Sequence, residues 1–125
     1  MALPKAVRVL VALYFLASVA HFSHNAEYIA FYPGMPSSIG REAVYLAWLG
    51  ITSVGALSFT AFRFGFHRAA ILLLAVYGAL GLDGLAHYTL ALCSEHTLVA
   101  NMTIWSEALA GALVMSSSAI LLARQ

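Results

Sequence analysis

Four stretches of this chain, at about residues 7–31, 43–62, 69–92 and 98–122, each run for twenty or more residues with no proline and at most two Asp, Glu, Lys or Arg side chains. A helix that crosses a bilayer needs about 20 mostly apolar residues. In hydrocarbon every backbone N–H and C=O must find its partner within the segment, so such stretches are helices. Together they use nearly all of the 125 residues. The expectation is therefore an all-α integral membrane protein, with residues 1–125 forming one four-helix transmembrane domain.

The breaks between the stretches support that reading. The segment "YPGMPSSIGRE" (32–42) carries two prolines and two glycines and reads as a turn, with Ser37 or Ser38 placed to cap the second helix. "RFGFHR" (63–68) and "CSEH" (93–96) are short enough to force antiparallel neighbours, which gives an up-down-up-down bundle. Composition agrees, at 62% hydrophobic and 9% charged, where a soluble domain is roughly half apolar and a quarter charged. A net charge of +1 offers no basic face for nucleic acid. Cys93 is the single cysteine, which excludes an intrachain disulfide and any C-x-x-C motif.

Lys5, Arg8, Arg63, Arg68 and Arg124 fall at one end of such a bundle, and Arg41 alone at the other. Positive charge collects on the cytoplasmic side. Both termini are thus expected in the cytoplasm of a bacterium, across its inner membrane, with residues 32–42 and 93–97 facing the periplasm. Lys5 and Arg8 ahead of an apolar run ending in Ser18-Val19-Ala20 imitate a secretory signal; the run is read as a retained transmembrane helix. Gly50 and Gly55, then Gly78, Gly81 and Gly84, then Ala108 and Gly111 form small-residue faces suited to close helix contact, within the chain or in a homo-oligomer.

Polar residues inside the spans are few and unevenly placed. At about 1.5 Å per residue, His21 lies about 21 Å above the inner face, His24 about 25 Å, Glu27 about 30 Å, Asp83 about 20 Å and His87 about 27 Å. Asn101 and Glu107 lie about 5 Å and 14 Å below the outer face. These residues share the outer half of the bundle. His21, His24, Asn25 and Tyr28 fall in one helical stripe with Glu27 on its flank, Asp83 and His87 are one turn apart, and Glu107 aligns with Thr103 and Gly111. Ionisable groups in a span usually face the interior, where they bind ions, relay protons or do chemistry.

Imidazole with carboxylate in a helical bundle is the donor set of iron, zinc and manganese sites. On that reading His21, His24, His87, Asp83 and Glu107 are candidate metal ligands, and Asp83, Glu107 and Glu27 are candidate catalytic carboxylates. Asn25, Tyr28, His96, Asn101, Thr103 and Trp105 surround them. The function expected first is a metal-dependent membrane enzyme, an oxidoreductase or hydrolase acting on a small lipophilic substrate. The alternative is a metal-free acid–base isomerase or cyclase of a terpenoid or sterol-like substrate, with a buried carboxyl as acid and a histidine as base. Two other classes remain open: haem b held by His21 or His24 with His87 for electron transfer, and ion or proton transport.

Overall fold

The computed structural model describes residues 2–125. Its helices are α1 (Lys5–Glu27), α2 (Arg41–Arg63), α3 (His67–Leu80), α4 (His87–Leu90) and α5 (Leu98–Ala123), with no strand among the described residues. A 3₁₀ stretch, Gly81–Ala86, carries α3 into α4, so that His67–Leu90 counts as one span beside α1, α2 and α5. All four are long and apolar enough to cross a membrane. Much of that apolar surface points outward: Leu13, Leu16, Leu46, Phe59, Leu98 and Leu109 are exposed, while Tyr14, Ile71, Ile104 and Val114 are buried. Lipid tails satisfy an outward leucine as well as a core does, so the interior is free to hold small and polar groups.

Local chemistry explains the helix ends. After α2 the chain closes a Schellman motif: the N–H of Phe66 donates to the carbonyl of Ala61 (2.9 Å) and that of Gly65 to Phe62 (3.1 Å). Gly65 has φ 83°, the left-handed conformation that this motif places just beyond a helix. Thr97 caps α5 by accepting from the Ala100 N–H at 3.1 Å. The cap expected from Ser37 or Ser38 is not used; Gly40 precedes α2 without a side-chain cap, and Glu42 supplies negative charge to the first turn.

Two boundaries differ from those expected of the sequence. The first helix stops at Glu27 rather than running to 31, and a 3₁₀ turn at Ile29–Phe31 follows it. Hydropathy continues through Ile29, Ala30 and Phe31 and gives no stop signal. The turn instead sends Tyr32 inward to 2% exposure. Gly34 (φ 77°) then closes the loop on the third span, where a Cβ would lie 2.8 Å from the Leu90 carbonyl oxygen. The second difference is the 3₁₀ stretch. Three residues per turn rather than 3.6 changes the angle between Asp83 and His87, yet both side chains still line one cavity.

Helix α5 packs on α1 and α3, while α2 packs on α3 and α1. The contact of α3 with α5 is backbone against backbone, since a Cβ on Gly78 would sit 2.6 Å from the Gly111 carbonyl oxygen and the Met115 nitrogen. Gly78, Gly81 and Gly111 are thus used inside the chain. Only Gly50 of the small residues on these faces meets open space, with nothing within 4 Å of its Cβ position.

Candidate functional site

The site is built where Gly81 and Gly84 let the third span lie directly on α1 and α5. A Cβ on Gly81 would meet the Tyr14 ring at 2.6 Å and the Glu107 carbonyl oxygen at 3.1 Å. A Cβ on Gly84 would lie 3.3 Å from Nε2 of His21 and 3.6 Å from Oε2 of Glu107. Gly81 thus serves close packing on Tyr14 and α5, while Gly84 roofs over a buried imidazole and carboxyl.

His21 from α1 and Glu107 from α5 form that pair, with Nε2 and Oε2 3.7 Å apart and side chains 2% and 1% exposed. Neither carboxyl oxygen of Glu107 has a hydrogen-bond partner within the protein, and the neighbouring Tyr14 and Ser18 hydroxyls are also buried without one. The tautomer of His21 follows from Thr103. That hydroxyl donates to the Ala100 carbonyl at 2.9 Å, so towards Nδ1 of His21, 3.4 Å away, it offers a lone pair. His21 accordingly carries a proton on Nδ1 and turns Nε2 to Glu107.

A second imidazole, His87, stands beside the first with ring centroids 5.5 Å apart. The Asn25 amide nitrogen donates to its Nε2 at 2.8 Å, so His87 keeps its proton on Nδ1, which is buried and unpartnered. His96 follows at 6.1 Å from His87. Its Nδ1 donates to the Leu92 carbonyl at 2.9 Å, and its Nε2 is left buried and unpartnered. The sequence suggests a solvated residue at the mouth of the bundle, yet His96 is only 6% exposed.

Tyr32 ties these groups together, and nothing in the sequence singles it out. Its ring centroid lies 4.9 Å from that of His87, 5.7 Å from His24, 6.2 Å from His96 and 6.3 Å from His21. Its hydroxyl and Nδ1 of His24 share a 2.7 Å hydrogen bond. Burial raises the Tyr32 phenol above its ordinary ionisation range, its contact with the Thr103 side chain opposes that shift, and the nearby Glu107 adds to it. A tyrosine in a Pro- and Gly-rich loop ordinarily reads as surface, which hides this role.

An apolar cavity of about 330 Å³ opens beside the cluster, at the small end of ligand-binding pockets. His21, Asn25, Asp83 and His87 supply its polar wall, with Phe22 and Val44 among its apolar ones. Asp83 faces the cavity as an exposed side chain. Carboxyl and imidazole groups from two spans thus address one apolar space, with Glu107 behind His21.

Other candidates lie apart from this space. Glu27 is on the outer surface, where it accepts from Arg41 (2.8 Å) and from the Tyr45 hydroxyl (2.7 Å). His24 belongs to the Tyr32 side of the cluster and stacks on the exposed Tyr28 at 4.9 Å. Asn101 accepts from the Tyr88 hydroxyl at 2.7 Å and donates to the Cys93 carbonyl at 3.0 Å, bracing the loop before α5. Trp105 is 47% exposed and lies against Tyr88.

The donor set that helical spacing suggests for a metal is not assembled: among the described residues no three His, Cys, Asp or Glu side chains converge to ligating distance. His21 and Glu107 approach each other, but Nε2 of His87 is engaged by Asn25 and His24 is turned to Tyr32. The same contacts occupy the Nε2 atoms that axial ligation of a haem by His21 and His87 would need. No protein-family model, curated protein or solved structure matches the chain.

Proposed function

We propose that this chain is an integral-membrane enzyme that moves protons on a small lipophilic substrate, an isomerase or cyclase acting on a terpenoid or sterol-like molecule. The observation that carries the reading is the buried His21–Glu107 pair set against an apolar cavity that Asp83 and His87 also face. A lone charge at this depth is costly. A carboxyl and an imidazole that hold one proton between them are neutral as a unit, so the resting pair leaves no isolated charge at this depth.

In the reaction we envisage, the Asp83 carboxyl gives a proton to one atom of the bound substrate and Nε2 of His21, the imidazole nitrogen left without a proton, accepts one from another, while His87, its Nε2 held by Asn25, lines the cavity. The product differs from the substrate only in the position of a double bond or in a new ring bond. The proton then passes back to Asp83 and the protein is unchanged. Glu107 does not face the cavity; it stands behind His21, and the charge that His21 gains is balanced by the carboxylate left on Asp83. Separated donors favour this metal-free chemistry over metal-assisted hydrolysis or oxidation.

The same reading places the bundle up and down across a bacterial inner membrane, with both termini in the cytoplasm and the cavity in the periplasmic half. The test uses the full chain in lipid nanodiscs, in D₂O, with a panel of isoprenoid and sterol-like alkenes and ketones, read by mass spectrometry. Deuterium incorporated by the parent should be lost in Asp83→Asn and strongly reduced in Glu107→Gln, and should survive treatment with chelator. Exchange no greater than that of empty nanodiscs, or equal exchange by Asp83→Asn, would refute the proposal. Activity lost on chelation and restored by iron, zinc or manganese would return the argument to a metal-dependent enzyme.

A further inference from the structure

Charge is segregated along this fold. Lys5 and Arg8 open α1, Arg63 closes α2, Arg68 opens α3 and Arg124 follows α5. The side-chain carboxylates, Glu27, Glu42, Asp83, Glu95 and Glu107, lie away from those positions, at the end of α1, the start of α2, in the 3₁₀ stretches and within α5. Among the described residues no Asp or Glu side chain lies at the basic end. Of the ion pairs among the described residues, none includes Arg8 or Arg63.

Those two arginines border a second cavity, of about 410 Å³, between α1, α2 and α3. Leu3, Val11, Phe62 and Leu74 contribute apolar walls. Ser58, which also lines it, already donates to the Ala70 carbonyl at 2.8 Å and makes no demand on a ligand. The space is thus greasy along its length and cationic at its mouth, and both guanidiniums sit within a turn of a helix end, the level of lipid headgroups in a spanning bundle.

We infer that this cavity binds an anionic membrane lipid, its acyl chain seated between α1, α2 and α3 and its headgroup on Arg8 and Arg63. The inference rests on the membrane-spanning reading of the helices and is independent of any catalysis in the other half of the bundle. An acyl chain is the apolar occupant that a bilayer offers at this depth. The unpaired guanidiniums select a headgroup of negative charge, and Arg presents a planar fork of donors suited to phosphate oxygens.

Native mass spectrometry of the detergent-solubilised chain tests this, using phosphatidylglycerol and phosphatidylcholine with identical acyl chains, and glycerol phosphate alone. Two basic side chains at a headgroup should favour phosphatidylglycerol roughly thirtyfold. The double variant Arg8→Gln, Arg63→Gln should bring the two lipids near parity, and Val11→Trp, which fills the cavity, should reduce retention of both. A photoactivatable phosphatidylglycerol added to the unaltered protein should label the start of α1 and the end of α2. Parity in the unaltered protein, a preference that survives loss of both arginines, or labelling confined to other surfaces would overturn the inference. Glycerol phosphate binding as well as the lipid would identify a free-phosphate site instead.

Discussion

Replacing Gly78 by alanine tests the packing that brings the candidate site together. Its Cβ would fall 2.6 Å from the Gly111 carbonyl oxygen and from the Met115 nitrogen, and 3.1 Å from the Met115 Cα. Each obstacle is backbone, so no rotamer change relieves the clash. Helices α3 and α5 must part by about 1 Å to reach favourable contact distance. The expected cost is about 3 kcal/mol, the upper end of the range for overpacking. Gly50→Ala is the control, because nothing lies within 4 Å of that Cβ position; there alanine should stabilise by about 0.4–1 kcal/mol through the unfolded chain. Reversible detergent-induced unfolding, followed by helical circular dichroism, measures both. Gly78→Ala should also lose activity, since parting α3 from α5 moves the third span, with Asp83 and His87, away from Glu107. The reasoning fails if the two variants unfold within about 0.5 kcal/mol of each other, the spread of ordinary surface substitutions.

Gly84→Ala should fold and yet slow turnover, because its methyl group would press on Nε2 of His21 at 3.3 Å; unaltered turnover in the deuterium assay would remove Gly84 from the site. Thr97→Ala deletes the cap on α5 and should cost about 1 kcal/mol in the same unfolding assay, with Thr97→Ser retaining most of that stability. Burial holds the Tyr32 proton to higher pH in the folded chain than in the unfolded one, so its contribution is intact below the ordinary tyrosine range near pH 10 and declines as pH rises through the folded value. Alkaline unfolding curves should therefore be shallower for Tyr32→Phe than for the unaltered protein, and parallel curves would refute the assignment. Glu27→Gln removes an exposed ion pair with Arg41 and leaves an amide oxygen for the Tyr45 hydroxyl, and both stability and turnover should be nearly unchanged.

Most of the gross architecture was legible residue by residue, because hydropathy is additive along a chain. Stretches expected at 43–62 and 98–122 correspond to α2 at Arg41–Arg63 and α5 at Leu98–Ala123. The end of α1 was not legible, since Ile29, Ala30 and Phe31 are as apolar as the helix before them and Tyr32 leaves the helix to reach a tertiary pocket. The 3₁₀ stretch was hidden for a related reason. "GLDGLA" reads as ordinary small-residue helix until its glycines are seen against Tyr14, His21 and Glu107.

Site membership divides in the same way. His21, Asp83, His87 and Glu107 stood out because polar groups are rare in such spans, and the structure brings His21, Asp83 and His87 to one cavity with Glu107 against His21. Glu27 stood out equally and lies on the outer surface. His96 was expected beside the site and is buried there, whereas Tyr32 gave no signal because a loop residue carries no periodicity from which burial can be read.

By itself the sequence determined that the chain is helical, that four segments are fit to cross a membrane, and that the basic residues other than Arg41 stand apart from the carboxylates along them. Those properties are sums over neighbouring residues. Tertiary structure alone decided which imidazole meets which carboxyl, that three metal-type donors do not converge among the described residues, and that two cavities of different character lie between the helices. Such outcomes depend on the rotation of each helix about its axis and on the close approaches at Gly78, Gly81, Gly84 and Gly111. Changing the turn from 3.6 to 3 residues, or ending α1 one turn early, redirects side chains without altering the local composition.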